Sequence, residues 1–89
     1  MAWRIELSTL ARKNLDKLDR QEARRILAFL HGSIATLADP RSAGAALKGS
    51  TLGEFWKYRV GDYRIIARIE DGAVRILVVQ IGNRREVYR

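Results

Sequence analysis

The chain has 89 residues, 47% of them hydrophobic, enough for one small core and too few for a separate regulatory or cofactor-binding module. It has no cysteine, which excludes a disulfide framework and any thiolate metal site. Seventeen Lys and Arg against ten Asp and Glu leave a net charge of +7, which favours a polyanionic partner, either nucleic acid or an acidic protein.

The pattern predicts a single domain over residues 1–89. Ala2 to Leu7 alternates Trp3, Ile5 and Leu7 with Arg4 and Glu6, the period of a strand with one buried face. Ser8 or Thr9 is placed to cap a short helix carrying Leu10, Ala11, Leu15 and Leu18. Asp19 and Glu22 have the spacing of a capping box that opens a longer helix. There Ala23, Ile26, Leu27, Leu30, Ile34 and Leu37 recur at helical spacing, with Arg20, Arg24 and Arg25 turned away. Helices joined this closely form an antiparallel hairpin. Asp39 and Pro40 end it, and Arg41 to Gly53, rich in Gly, Ala and Ser without a sustained period, is predicted as a loop with at most one short turn.

From Glu54 the period returns to two, with Trp56, Tyr58 and Val60 on one face and Phe55, Lys57 and Arg59 on the other. Gly61-Asp62 marks a tight turn, Tyr63 to Glu70 is the next strand, and Asp71-Gly72 is the strongest hairpin signal, leading to a returning strand from Ala73 to Ile81. That last strand is apolar on both faces from Ile76 to Val79, which predicts an interior place in the sheet. The fold class is therefore α+β: an N-terminal strand, a two-helix antiparallel hairpin, then a three-stranded antiparallel meander, with the helices packed on one face of the sheet. The pattern does not place the first strand within that sheet. The N-terminus lacks a charged leader followed by an apolar stretch, and no run of about 18 apolar residues occurs, so the chain is expected in the cytoplasm and not in a membrane.

A sheet covered by helices on one face leaves the other polar or occupied, and Lys57, Arg59, Arg64 and Arg68 are the residues available for it. Lys57 and Arg59 share a strand face, Arg64 lies just past the turn, and Arg84 follows Gly82 and Asn83 at the end of the last strand. Alternation lets these positions converge on one concave patch that few acids balance, with Tyr88 nearby in sequence.

Three stretches carry a specific resemblance. Leu47-Lys48-Gly49, Phe55-Trp56-Lys57-Tyr58-Arg59-Val60-Gly61-Asp62-Tyr63-Arg64 and Val79-Gln80-Ile81-Gly82-Asn83-Arg84-Arg85-Glu86-Val87-Tyr88 resemble the RelE branch of the RelE/ParE toxin superfamily. The order of expected elements agrees over essentially the whole chain. RelE-like toxins are ribosome-dependent mRNA interferases silenced by a small antitoxin, so the resemblance implies a metal-independent endoribonuclease that cuts mRNA in the ribosomal A site and inhibits translation. It implies as partners a RelB-like antitoxin, the ribosome and mRNA, with promoter DNA reached only through the antitoxin complex, and no cofactor.

The resemblance also implies roles, one residue at a time. Lys57 resembles the first of two strand lysines beside the scissile phosphate, and Arg59 stands where the second would be. Arg64 resembles an arginine on the phosphate, Arg84 one that stabilises the leaving group or transition state, and Tyr88 a tyrosine that orients or stacks on the substrate. Asn83 departs from the histidine of many relatives and removes a group that titrates near neutral pH. Arg24, Arg25, Arg41, Lys48, Arg68 and Arg85 are candidates for docking on RNA or the ribosome.

Such a set has a definable chemistry. Transesterification needs the ribose 2′-oxygen to lose a proton and the 5′-oxygen to leave with its charge neutralised. Several cations stabilise the pentacoordinate phosphorus, each well-aimed donor contributing about 3 kcal/mol. A lysine crowded by arginines is the candidate base, because like charges disfavour its charged form. Arginine stays protonated, so Arg59 is expected to clamp phosphate and leave the proton to Lys57. With no finely tuned acid and base, activity on free RNA should be weak, and most of the rate must come from positioning, which a ribosome can supply. Two other readings compete: a ParE-type, non-enzymatic DNA gyrase inhibitor, and a plain RNA-binding or ribosome-binding domain. Members of the ParE branch generally lack the Lys57, Arg59, Arg64, Arg84 and Tyr88 set, whereas Arg59 and Asn83 lend weight to the plain domain.

Other residues are read as structural. His31, the sole histidine, is expected to be exposed or structural. Glu54 and Glu86 are expected in salt bridges, with Glu86 the second choice of base, and Trp3 in the core. Gly49, Gly53 and Gly61 lack the strand-loop-helix context of a phosphate-binding loop.

Overall fold

The computed structural model describes residues 2–47 and 55–83. Strand β1 (Arg4–Leu7) leads into helices α1 (Thr9–Asp16) and α2 (Arg20–Phe29), a strand pair β2 (Ala45–Ala46) and β3 (Phe55–Val60), then β4 (Tyr63–Glu70) and β5 (Arg75–Asn83). The sheet order is β1-β5-β4-β3-β2. β1, which the pattern left unplaced, runs parallel to β5 at one edge, with Ile5 beside Ile76 and Leu7 beside Val78. All other pairings are antiparallel. β5 is thus interior, as its apolar faces require.

Local chemistry sets most boundaries. Ser8 caps α1, its hydroxyl accepting from the Ala11 amide at 3.0 Å. The same hydroxyl donates to the Val79 carbonyl at 2.7 Å, where β5 bulges by one residue against β4. One side chain therefore satisfies an orphan helix donor and a bulge carbonyl together. Past the end of β1, the Ile81 amide donates to Asn14 Oδ1 at 3.0 Å, so α1 also covers the bare edge of β5.

Four expectations need correction, the last of them at the second turn of the meander. The capping box does not form: Asp19 precedes α2 with an extended backbone but its side chain makes no capping bond. The second helix does not stay α-helical to Leu37. At Leu30–Ile34 it widens into a π turn containing the weak helix formers Gly32 and Ser33, closed by the Ala35 amide on the Leu30 carbonyl at 2.9 Å. The Ala35 carbonyl is then taken by the Trp3 amide at 2.8 Å, so the hairpin end is tied to the start of the sheet. Within 41–53 the short turn forms, a 3₁₀ turn over Pro40–Ala43, but it leads into a two-residue strand, β2, that the pattern did not show.

The two turns of the meander differ. Gly61 has φ +58 and Val60 pairs with Tyr63 across it, a two-residue hairpin with glycine at its first position. Asp71-Gly72 does not make the expected tight hairpin. Asp71–Ala73 forms a 3₁₀ turn, and Val74 takes the left-handed conformation at φ 49. A β-branched residue rarely sits there, and tertiary bonds account for it: its amide bonds to Asp71 and its carbonyl accepts from Arg4 at 2.9 Å.

The helices cover one face of the sheet. Ala11, Leu15, Ile26, Leu30 and Ile34 pack on Tyr58, Val60, Ile65, Ala67, Ile76, Val78 and Ile81, all buried. Each fully buried aliphatic side chain contributes roughly 1.5–3 kcal/mol, so this face carries the stability of the fold. Among the described residues no helix is long and apolar enough to cross a membrane.

Candidate active site

The pairing of β3, β4 and β5 decides what meets on the open face. Arg59 lies directly opposite Arg64, Lys57 opposite Ile66, and Phe55 opposite Arg68. On the other side of β4, Gly82 lies beside Arg64 and Gln80 beside Ile66. The rows therefore read Gly82, Arg64, Arg59 and then Gln80, Ile66, Lys57. Residues directly opposite across an antiparallel pair hold their Cβ atoms about 4.5–5.5 Å apart. The register thus brings Lys57, Arg59 and Arg64 into one patch beside the β3–β4 turn.

Each member has a distinct environment. Arg59 is exposed, and its Nε donates to the Gly61 carbonyl at 3.4 Å, so the guanidinium leans toward its own turn. Lys57 and Arg64 are half-buried, with the Nε of Arg64 sealed from solvent. Ile66 is 6% exposed although it belongs to the open face, and so gives the patch an apolar floor between Lys57 and Gln80. Gly82 adds no side chain next to Arg64, which leaves the row open on that side. No acid occupies positions 57, 59, 64, 66, 80 or 82. Two guanidiniums and an ammonium beside an apolar floor are groups that can pair with an anion and pack against an apolar surface.

The remaining candidates fall into three groups. Arg68 shares the face but lies farther along β4, exposed and opposite Phe55. Arg24 and Arg25 are exposed on α2, and Arg25 reaches the β3–β4 turn from the helix side: a Cβ added at Gly61 would stand 3.1 Å from its Nη1. Arg41 is held elsewhere, by Asp71 at 2.6 Å and Asp39 at 3.3 Å, with its guanidinium 5.8 Å from the Trp56 ring centre. The hydrogen bond to Asp71, above all, raises the Arg41 pKa and lowers that of Asp71. Lys48, Arg84, Arg85 and Tyr88 lie outside the described residues, as do Glu54, Glu86, Gly49 and Gly53. His31 is exposed on the π turn, and Trp3 packs against the core.

Alternation shows that Gln80 and Gly82 share a face of β5, but not which residues of β4 they meet. The bulge at Val79 hides their alignment with β4. Behind this end of the sheet, a cleft of about 260 Å³ opens between α1 and the ends of β4 and β5, lined by Asn14, Lys17, Leu18, Tyr63, Ile81, Gly82 and Asn83.

A small mixed sheet with its helices on one face is a fold shared with bacterial and archaeal toxins. Residues 5–88 match the family described as ParE toxin of type II toxin-antitoxin system, parDE, and the chain belongs to that family. It is also similar over its length to toxins named for the Rel branch of the RelE/ParE superfamily. It is 27% identical over 89 residues to Toxin RelG of Mycobacterium tuberculosis, covering 100% of this chain and 99% of the relative. It is 28% identical over 87 residues to Toxin RelE of the same organism, covering 98% and 87%. Among solved structures, a chain of the RelBE2 toxin-antitoxin complex of M. tuberculosis superposes with a TM-score of 0.84 at 23% identity, covering 97% of this chain and 95% of the other. A chain of the archaeal RelE-RelB complex from Pyrococcus horikoshii gives 0.74 at 24% identity, covering 97% and 99%.

Proposed function

We propose that the chain is the toxin of a type II toxin-antitoxin pair and a ribosome-dependent endoribonuclease that cleaves mRNA in the A site without a metal. The observation that carries this reading is the register that sets Lys57, Arg59 and Arg64 side by side on the open face of the sheet. In the reaction, Lys57 in its uncharged form takes the proton of the ribose 2′-hydroxyl. The 2′-oxygen attacks the in-line phosphorus, the bond from phosphorus to the 5′-oxygen breaks, and a 2′,3′-cyclic phosphate remains. Arg59 and Arg64 hold the non-bridging oxygens as their charge grows. By resemblance alone, Arg84 offsets the charge on the departing 5′-oxygen, which takes its proton from water, and Tyr88 orients the base.

Arginines such as Arg24, Arg25 and Arg68 attract RNA phosphate, and a ribosome supplies the in-line geometry that this site does not impose by itself. The cognate partner is a RelB-like antitoxin whose acidic or amphipathic segment screens the cationic face, and promoter DNA is reached only through that complex. Both work in the cytoplasm. The match to a family described by its ParE members favours a second reading, inhibition of DNA gyrase without catalysis. The deciding experiment maps cleavage by primer extension, with purified protein on programmed ribosomes and on naked RNA, beside Lys57→Ala. Cuts that need the ribosome and vanish in the variant support the nuclease. No cuts from folded, antitoxin-free protein overturn it, and gyrase supercoiling is then assayed.

A further inference from the structure

The segment before β2 lies as a strap along the outer edge of β3, beside Lys57. Ala45 pairs with Lys57 and Ala46 with Trp56, and the Leu47 amide donates to the Phe55 carbonyl at 2.9 Å. One turn earlier, the Tyr58 hydroxyl donates to the Pro40 carbonyl at 2.8 Å in the interior. Arg41 ties the strap to the β4–β5 turn through Asp71. The tightest point is Gly44. A Cβ there would stand 2.8 Å from Tyr58 Cε1 and 3.0 Å from the Lys57 carbonyl oxygen.

Space, and not backbone freedom, makes this position a glycine. Its φ of −124 and ψ of 172 below zero are extended values open to any residue. The Tyr58 ring cannot yield, being 1% exposed, edge-on to Phe29 at 6.4 Å and held through its hydroxyl. An added methyl must therefore push on the β3 backbone at Lys57. Because strand side chains alternate, Tyr58 points into the core while Lys57 points to the open face, so the strap bears on the backbone behind the lysine.

We propose that Gly44 is a positioning residue for Lys57: the strap over residues 40–46 fixes the backbone of β3 at Lys57 and so sets the reach of that ammonium relative to Arg64. The inference rests on the reading of Lys57 as the base. Its reach is sensitive because a misplacement of about 1 Å can cost on the order of a hundredfold in rate.

The test measures ribosome-dependent cleavage by Gly44→Ala and by Tyr58→Phe, with thermal melting to show that each is folded at the assay temperature. Gly44→Ala should lower kcat by roughly tenfold to a hundredfold with KM little changed. In a double-mutant cycle, Lys57→Ala and the Lys57→Ala/Gly44→Ala pair should share one residual rate, since the strap acts through the lysine. Tyr58→Phe, which keeps the ring and loses the bond to Pro40, should show the same pattern at smaller size, and it carries the test if Gly44→Ala does not fold. A folded variant with the wild-type kcat, or a loss that adds in full to Lys57→Ala, overturns the proposal. Amide exchange at Lys57, whose N–H lies on the β2 side of β3, reads the strap without activity. It should speed up in the variants, and unchanged exchange overturns the proposal. If the wild type itself does not cut, the nuclease reading fails whatever the exchange shows.

Discussion

The open face of the sheet treats charge in opposite ways at its two ends. Where β1 and β5 begin, Arg75 is bracketed by Glu6 at 2.9 Å and by Glu70, and those hydrogen bonds, Glu70 first, raise its pKa. Beside the β3–β4 turn, Arg59 and Arg64 face each other across the strands, with Lys57 in the next row. Like charges placed directly opposite are destabilising. The fold sets an arginine between two acids at the first end and an arginine opposite an arginine at the second, the end that an external anion would favour.

Substitution can break that comparison most sharply at its two arginines. Arg64→Ala and Lys57→Ala should each lower ribosome-dependent cleavage by on the order of a hundredfold or more, with melting temperatures close to wild type. Arg75→Ala should leave cleavage at the wild-type rate and act only on stability, because its charges are satisfied within the fold. Equal losses of cleavage at Arg75 and Arg64 would remove the functional meaning of the segregation. The buried face supplies the converse. Ile76 is fully buried, and Ile76→Ala should cost about 2–5 kcal/mol in urea unfolding while the folded fraction cuts normally.

The same contrast explains what was legible in the sequence. The buried face was readable because it repeats: Ile26, Leu30 and Ile34 at helical spacing and Tyr58, Val60, Ile65 and Ile76 at strand spacing each announce one burial direction. Lys57 and Arg59 were readable on the opposite side by the same alternation. Features that depend on two distant segments were not. The left-handed Val74 answers to Arg4, the π turn ends on a bond to Trp3, and Asp19 had the right spacing for a cap whose bond does not form. β2 is two residues long, too short to show a period, and its pairing with Lys57 comes from the partner strand. Gln80 joins the site only through the bulge at Val79, which no pattern of types encodes.

Smaller effects sharpen how the helices hold the active strands. Ser8→Ala removes the α1 cap and the donor to Val79 together. It should lower unfolding stability by about 1–2 kcal/mol. Amide exchange should rise at Ala11 and around the bulge. Exchange that rises in the helix alone would mean the bulge is held by its β4 partner and not by Ser8.

The smallest effect at neutral pH, and the most specific one, belongs to Tyr58. Burial, more than its charged neighbours, pushes its hydroxyl up to about 12. An unfolded tyrosine ionises at about 10. Between those values the folded state keeps a proton that the unfolded chain has lost, so stability is complete below about pH 10 and falls as pH rises, by about 1.4 kcal/mol per unit. Tyr58→Phe should cost about 1 kcal/mol at neutral pH, for the bond to Pro40, and should lack this alkaline fall. Urea midpoints of the two proteins should converge above about pH 10 and then cross. Parallel curves would mean that the hydroxyl ionises freely in the folded protein, and that the strap behind Lys57 is not sealed over it.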